Sequence, residues 1–307
     1  MNIFLTQKNS SCCPFYSTYY LRKGFDMQKK STRKPLPFRY PGGKFYAMDI
    51  LRPFWECVPH DEYREPFAGG ATVFFNKEKS DINWLNDLDN ELIICYEVMQ
   101  NESTRGRLVD DFATEIATPE KWREVFESKP VTKYDIGKKY YYLNRTSFSG
   151  KLVSAAWGYR PKRSLPPERW YERILPCGKF LEGVKLTSLD FADVINAPGE
   201  NVLMYVDPPY YLPPKHKHYR CGFDLEDHIR LSEILKSTNH KFFLTYDDCE
   251  EIRELYNWAN IYDVKFFYRV DNSATRGGER QVGFELIITN YDVPNQLSSL
   301  DIGEENG

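Results

Sequence analysis

The chain has no apolar run long enough to cross a bilayer and no cleavable leader pattern at its start, so neither membrane insertion nor export is expected. Its seven cysteines fall into no regular framework, which argues against a disulfide scaffold and for a reducing, cytoplasmic compartment. An excess of one charge is also lacking. A net charge of −3 and a pI near 6.0 argue against a uniformly basic nucleic-acid coat. There is no internal repeat and no G-x-G-x-x-G stretch of the kind a dinucleotide site needs. Metal-ligand spacing is incomplete: His216-x-His218-x-x-Cys221 and Cys57-x-x-His60 supply ligand types without a pair of C-x-x-C sets, and no metal is expected.

What is present is a set of strand-to-loop junctions. Val202-Leu203-Met204-Tyr205-Val206 reads as a buried parallel strand, and Asp207-Pro208-Pro209-Tyr210 follows it directly. Two prolines cannot continue a ladder, so the backbone leaves the sheet and turns its carbonyls toward a cleft. The Asp207 carboxylate and the Pro208 carbonyl only accept hydrogen bonds. An exocyclic amine can donate one hydrogen to each while its base lies on the Tyr210 ring. Upstream, the strand at Tyr63-Arg64-Glu65 runs into Pro66-Phe67-Ala68-Gly69-Gly70-Ala71, where two glycines let a ligand approach the backbone. Asn86-Asp87-Leu88-Asp89-Asn90 follows the alternating stretch from Ile82. An acid there suits ribose hydroxyls, and one of Asp87 and Asp89 suits a helix N-cap.

Taken in order, FRYPGGK (Phe38 to Lys44), EPFAGG (Glu65 to Gly70), NDLDNELI (Asn86 to Ile93), LNRTSFSG (Leu143 to Gly150), DPPY, FLTYDD (Phe243 to Asp248) and RGGERQVGFELI (Arg276 to Ile287) resemble the Dam-type, or D12-class, DNA adenine-N6 methyltransferases. The resemblance spans residues 36 to 292. It implies S-adenosylmethionine as methyl donor and a Rossmann-like α/β fold, a seven-stranded methyltransferase sheet with a mostly helical target-recognition domain inserted before the DPPY strand. It implies a donor site of Tyr40, Gly42, Gly43, Lys44, Glu65, Phe67, Gly69, Asp87, Leu88, Asp190, Phe191 and Asp207. Tyr40 would pack near the cationic sulfonium, and Lys44 would touch the donor carboxylate or the catalytic loop. Catalysis would fall to Asp207, Pro208, Pro209 and Tyr210. The family often has glycine where this chain has Ala71, which bears on the course of that loop.

On the DNA side the resemblance points to Asn144, Arg145 and Phe148, with Phe148 a wedge for the stack vacated by a flipped base, and to Arg276 and Arg280. Arg160 and Arg163 lie in a basic stretch able to reach phosphates or a guanine. Members that read GATC carry an arginine three places after the glycine matching Gly150. Here Val153 stands there. Pro176-Cys177 resembles the nucleophile of cytosine-C5 methylation, a step that an exocyclic amine does not need.

The organisation expected is a flexible extension (1–34), a first methyltransferase segment (35–101), the insert (102–185), a second methyltransferase segment (186–292) and a tail (293–307). Double-stranded DNA is the expected partner of a monomer, and a cognate restriction endonuclease remains open. Transfer to cytosine N4 or to adenine in RNA, and a non-catalytic DNA-binding role, also remain open at this point.

Overall fold

The computed structural model describes residues 34–40, 42–211, 222–268 and 281–294. Arg276, Arg280, His216, His218 and Cys221 lie outside them. The strands are β1 (Glu62–Glu65), β2 (Ile82–Asn86), β3 (Lys185–Thr187), β4 (Val202–Val206), β5 (Lys241–Asp247), β6 (Asn260–Tyr268) and β7 (Gln281–Thr289). They form one seven-stranded sheet in the order β3-β2-β1-β4-β5-β7-β6. Pairing is parallel from β3 through to β5, and β7 is antiparallel to both of its neighbours.

Period-two alternation divides the apolar side chains between two faces. Tyr63, Leu85, Leu203, Tyr205, Phe243 and Ile287 join one buried cluster. Val202, Met204, Val206, Phe242, Leu244, Tyr246, Leu286 and Ile288 join the other. Both faces of β4 are therefore covered, which is why its sequence reads as a continuous apolar run.

The first cluster takes in α1 (Met48–Glu56), α2 (Thr72–Asn76), α3 (Asn90–Gln100), α4 (Glu102–Ala113), α6 (Lys133–Thr146) and α7 (Tyr171–Leu181), with Trp122 of α5 (Pro119–Glu127) packed against it. The second takes in α8 (Phe191–Ile195), α9 (Leu225–Ser237) and α10 (Glu250–Leu255). Residues 102–185 thus share an apolar core with the sheet. Side-chain caps mark the helix starts: Asp89 accepts from the Glu91 and Leu92 amides, and Asp224 and Asp227 form a capping box on α9. No helix among the described residues is long and apolar enough to cross a membrane.

Sequence order reverses between β1 and β4. From β1 the chain moves outward to β2 and β3, and from β4 it moves the other way to β5, so the loops that leave the carboxyl ends of β1, β2 and β4 border one crevice. Below it, Arg64 is fully buried and closes the end of α8, donating to the Val194, Ala197 and Pro198 carbonyls while its Nε bonds Glu62 at 2.6 Å.

Candidate active site

The crevice is an open cleft of about 1040 Å³, counting the space open to solvent. Tyr40, Gly42, Gly43, Lys44, Phe67, Gly69, Asp87, Leu88, Asp207 and Pro209 all lie on its walls. Glu65, Asp190, Phe191, Pro208 and Tyr210 are not on them.

A tight turn brings Lys44 in. The Gly43 amide donates to the Tyr40 carbonyl at 3.1 Å, with Gly42 at φ 77°, the positive value such a turn needs at its third residue. The Tyr40 side chain then covers the glycine loop after β1. A Cβ on Gly69 would meet the Tyr40 ring at 2.8 Å, and one on Gly70 would meet the Tyr40 Cβ at 2.9 Å. Tyr96 holds the same loop from behind, donating to the Gly69 carbonyl at 2.8 Å. Ala71 adopts the left-handed conformation (φ 47°, ψ 42°), so the residue that replaces the family's glycine keeps a glycine-like backbone. Such a conformation costs an L-residue about 1–2 kcal/mol.

Asp87 sits past the end of β2 and accepts the Gly69 amide at 2.8 Å and the Asp89 amide at 2.9 Å. Burial pushes its carboxyl up to about 6. Asp89, not Asp87, caps α3. Leu88 is 56% exposed at the cleft. Glu65 lies beneath, accepting the Tyr63 hydroxyl at 2.7 Å and the Phe74 amide at 2.8 Å, and burial pushes it up to about 8. It anchors the start of α2. Phe67 stacks on Phe191 at 5.3 Å, and Phe223 packs against both rings. Asp190 pairs with Arg230 through both oxygens, at 2.8 and 2.9 Å, and caps α8.

At the end of β4, Lys44 Nζ reaches Asp207 Oδ1 at 2.8 Å and Oδ2 at 3.2 Å. Thr245 on β5 donates to Oδ1 at 2.7 Å and is itself bonded to the Tyr205 hydroxyl at 3.2 Å. Glu285 on β7 accepts the Tyr210 hydroxyl at 2.7 Å and stands 3.9 Å from Lys44 Nζ. The ammonium lies 4.7 Å from the centre of the Tyr210 ring. Burial, then the charges of Asp207 and Glu285, hold the Tyr210 phenol well above its ordinary range, so it stays a donor.

Thr245, Glu285, Tyr96 and Tyr140 were not singled out in the sequence. Thr245 and Glu285 fall inside two of the quoted motifs, where strand alternation alone suggests core or solvent. Tyr140 lines the cleft, yet it belongs to a run of three tyrosines that periodicity does not resolve.

On the DNA side, Asn144 is buried. Its Oδ1 accepts the Arg39 amide at 3.0 Å, and its Nδ2 donates to the Arg39 and Gly150 carbonyls at 2.8 and 3.1 Å. Arg145 is only 7% exposed. Phe148 is 54% exposed on the short turn after α6, and Arg160 and Arg163 are exposed on a turn closed by the Arg160 carbonyl and the Ser164 hydroxyl. Val153 lines the cleft beside Gly150 and Lys151. Cys177 is buried inside α7 with its thiol on the Pro35 carbonyl at 3.2 Å, and burial pushes it up to about 12, which disqualifies it as a nucleophile.

A mixed α/β sheet of seven strands, with a glycine loop and an Asp-Pro-Pro-Tyr loop on one crevice, is consistent with a methyltransferase fold. Residues 40–270 match the D12 class N6 adenine-specific DNA methyltransferases, and the chain belongs to that family. It is 28% identical over 286 residues to the Type II methyltransferase M.CviBI of Paramecium bursaria Chlorella virus NC1A, covering 84% of this chain and 100% of the relative. It is 27% identical over 272 residues to the DNA N-6-adenine-methyltransferase of Escherichia phage P1, covering 81% of this chain and 34% of that longer protein.

Proposed function

We propose that this protein is a site-specific DNA methyltransferase that acts on N6 of an adenine flipped out of double-stranded DNA, with S-adenosylmethionine as donor. The observation that carries the reading is the Asp207 carboxylate, held by Lys44 and Thr245 at the end of β4 and facing the glycine loop. The cleft suits the donor chemically. It offers the Asp87 carboxylate for a diol, Leu88 and Phe67 for an adenine, the Tyr40 ring for a cation and a backbone stretch that no Cβ could line. When bound, S-adenosylmethionine supplies a methyl group on a sulfonium.

The residues of the chain do the rest. An adenine N6 lone pair is delocalised into the ring, and hydrogen bonds from N6 to Asp207 and to the Pro208 carbonyl localise it. Asp207 then stabilises the positive charge that develops on nitrogen. Tyr210, tethered through its hydroxyl to Glu285, gives the extruded base a stacking surface. Exposed Phe148 and the basic turn from Arg160 to Arg163 suit target recognition by residues 102–185. On this reading the enzyme works as a cytoplasmic monomer, alone or beside a restriction endonuclease.

The test is transfer of a labelled methyl group to unmethylated duplex DNA, followed by base analysis. N6-methyladenine is expected, and N4-methylcytosine or no product overturns the reading. Asp207→Ala should lower turnover by about 100-fold or more while the protein stays folded. Asp207→Asn should be similarly impaired, because its amide can present NH2 where an acceptor is required.

A further inference from the structure

Arg145 is an anomaly. It is 7% exposed, and among the described residues its buried Nε has no hydrogen-bond partner and its guanidinium no ion-pair partner. Buried arginines are ordinarily paired, because desolvating an uncompensated cation is costly. The groups that act on its charge are Tyr141, Arg173 and Cys177, none of them a carboxylate, and burial with Arg173 beside it holds the guanidinium below its ordinary range. Tyr141, one turn earlier on α6, is also buried with an unpartnered hydroxyl.

Two further arginines belong to segments that meet Arg145's own neighbours. Tyr141 packs edge-on against Trp170 at 5.6 Å, and Arg173 lies one turn beyond Trp170, as Arg145 lies one turn beyond Tyr141. Arg39 is laced to the same place through its backbone by Asn144, the residue before Arg145, and its charge is opposed by burial and by Arg145. Neither Arg39 nor Arg173 has an acidic partner among the described residues. Glu168 is felt at Tyr159, which also feels Arg39, but it pairs with none of the three.

Three arginines on segments that meet at one place, with no carboxylate paired to them among the described residues, suit an anion. Its position says which anion. Arg145 is in the last turn of α6, three residues before exposed Phe148, and Arg39 adjoins Tyr40 at the wall of the cleft. We propose that Arg39, Arg145 and Arg173 form a clamp for one phosphodiester of the DNA substrate, beside the target nucleotide. The proposal rests on the DNA-methyltransferase reading for the identity of the polyanion. A free phosphate has the same chemistry, and the test separates the two.

The full-length chain is titrated with a short adenine-containing duplex over a range of salt concentrations, and its thermal midpoint is recorded with and without inorganic phosphate. Arg145→Met removes a buried unpaired charge at similar volume, so its midpoint should rise above wild type while duplex Kd weakens by about 10- to 100-fold. The slope of log K against log salt should flatten by about 1. Arg173→Gln, at a partly exposed position where misfolding is no excuse, should show the same loss of affinity and slope. S-adenosylmethionine affinity by calorimetry should hold in both variants.

Duplex affinity and salt slope unchanged in both variants overturn the clamp. A lower midpoint for Arg145→Met with duplex affinity intact overturns it too, by making the arginine structural. If inorganic phosphate stabilises the wild type in a manner lost in Arg145→Met while duplex affinity is unchanged, the site takes a free anion and the DNA assignment falls. Duplex affinity that follows the prediction in a protein that transfers no methyl group leaves the clamp standing and removes the catalytic reading instead.

Discussion

At the scale of single residues, the site is a chain of donors and acceptors crossing three strands of one sheet, β4, β5 and β7, and each link can be tested by removing one side chain. Lys44→Ala removes the ammonium that spans Asp207 and Glu285, and Asp87→Ala removes an acceptor at the cleft wall. Each should weaken S-adenosylmethionine binding by about 1–3 kcal/mol in calorimetry. Unchanged affinity in both variants would put the donor elsewhere. Glu65 makes a separate prediction about pH. Its folded pKa, about 8, is far above the ordinary glutamate value of about 4.3, so the folded protein keeps a proton that the unfolded chain releases. The stability it contributes is complete below about pH 4.3 and is lost as pH rises through about 8, at a limiting slope of about 1.4 kcal/mol per pH unit. Asp87, pushed up to about 6, acts in the same sense at lower pH. Glu65→Gln cannot titrate, so from about pH 5 to pH 8 it should gain stability relative to wild type in urea unfolding. A gap that stays constant over that range means Glu65 is ionised in the fold.

At the scale of elements, the strands that carry chemistry were legible and the others less so. Val202–Val206 has in the fold the bounds its sequence gives it, because an apolar run ending in Asp-Pro-Pro leaves little choice. Strand β6 was missed. It lies at the sheet edge, and Asn260-Ile261-Tyr262-Asp263-Val264 mixes polar and apolar residues without a clean period. Helix α7 was missed because Pro176 and Gly178 interrupt its pattern, yet Ile174, Cys177 and Leu181 still make a buried stripe. Of the site, the residues on junction loops were visible, because glycines, prolines and acids there have few structural duties. Glu285 was not: an acid in a strand reads as solvent-facing until the sheet is built and puts it opposite Asp247. The short turn after α6 bears the element-scale prediction. Gly150 has φ +72°, and a Cβ there would lie 2.2 Å from the Arg39 carbonyl oxygen. Gly150→Ala should therefore cost at least about 2 kcal/mol in denaturant unfolding. A variant as stable as wild type would mean that the contact to Arg39 is not kept in solution.

At the scale of the whole molecule, helices from residues 102–185 and the sheet share one apolar core, so the part we assign to recognition is not a module hung on a linker. What it reads follows from its side chains. Val153, at the cleft wall, stands where the resemblance calls for a guanine-reading arginine, and a lost bidentate contact removes about 1–3 kcal/mol of discrimination. The enzyme should therefore not require GATC. Modification mapping of DNA from an expressing host should find N6-methyladenine in another context, and methylation confined to GATC overturns this. Arg160→Ala and Arg163→Ala, compared on DNA libraries, should divide into a variant that relaxes preference at one position and a variant that binds all sequences less well. The Asn144 amide has a wider consequence. One planar group grips the residue before Tyr40 on one side and the carbonyl of Gly150 on the other, so the cleft wall we propose for the donor and the turn we propose for DNA are bolted to a single rigid plate. A ligand at one end of that plate that shifts it changes the affinity for a second ligand at the other end. Whatever factor the first adds to the affinity for the second, the second must return to the first, and the order in which they arrive leaves that factor unchanged.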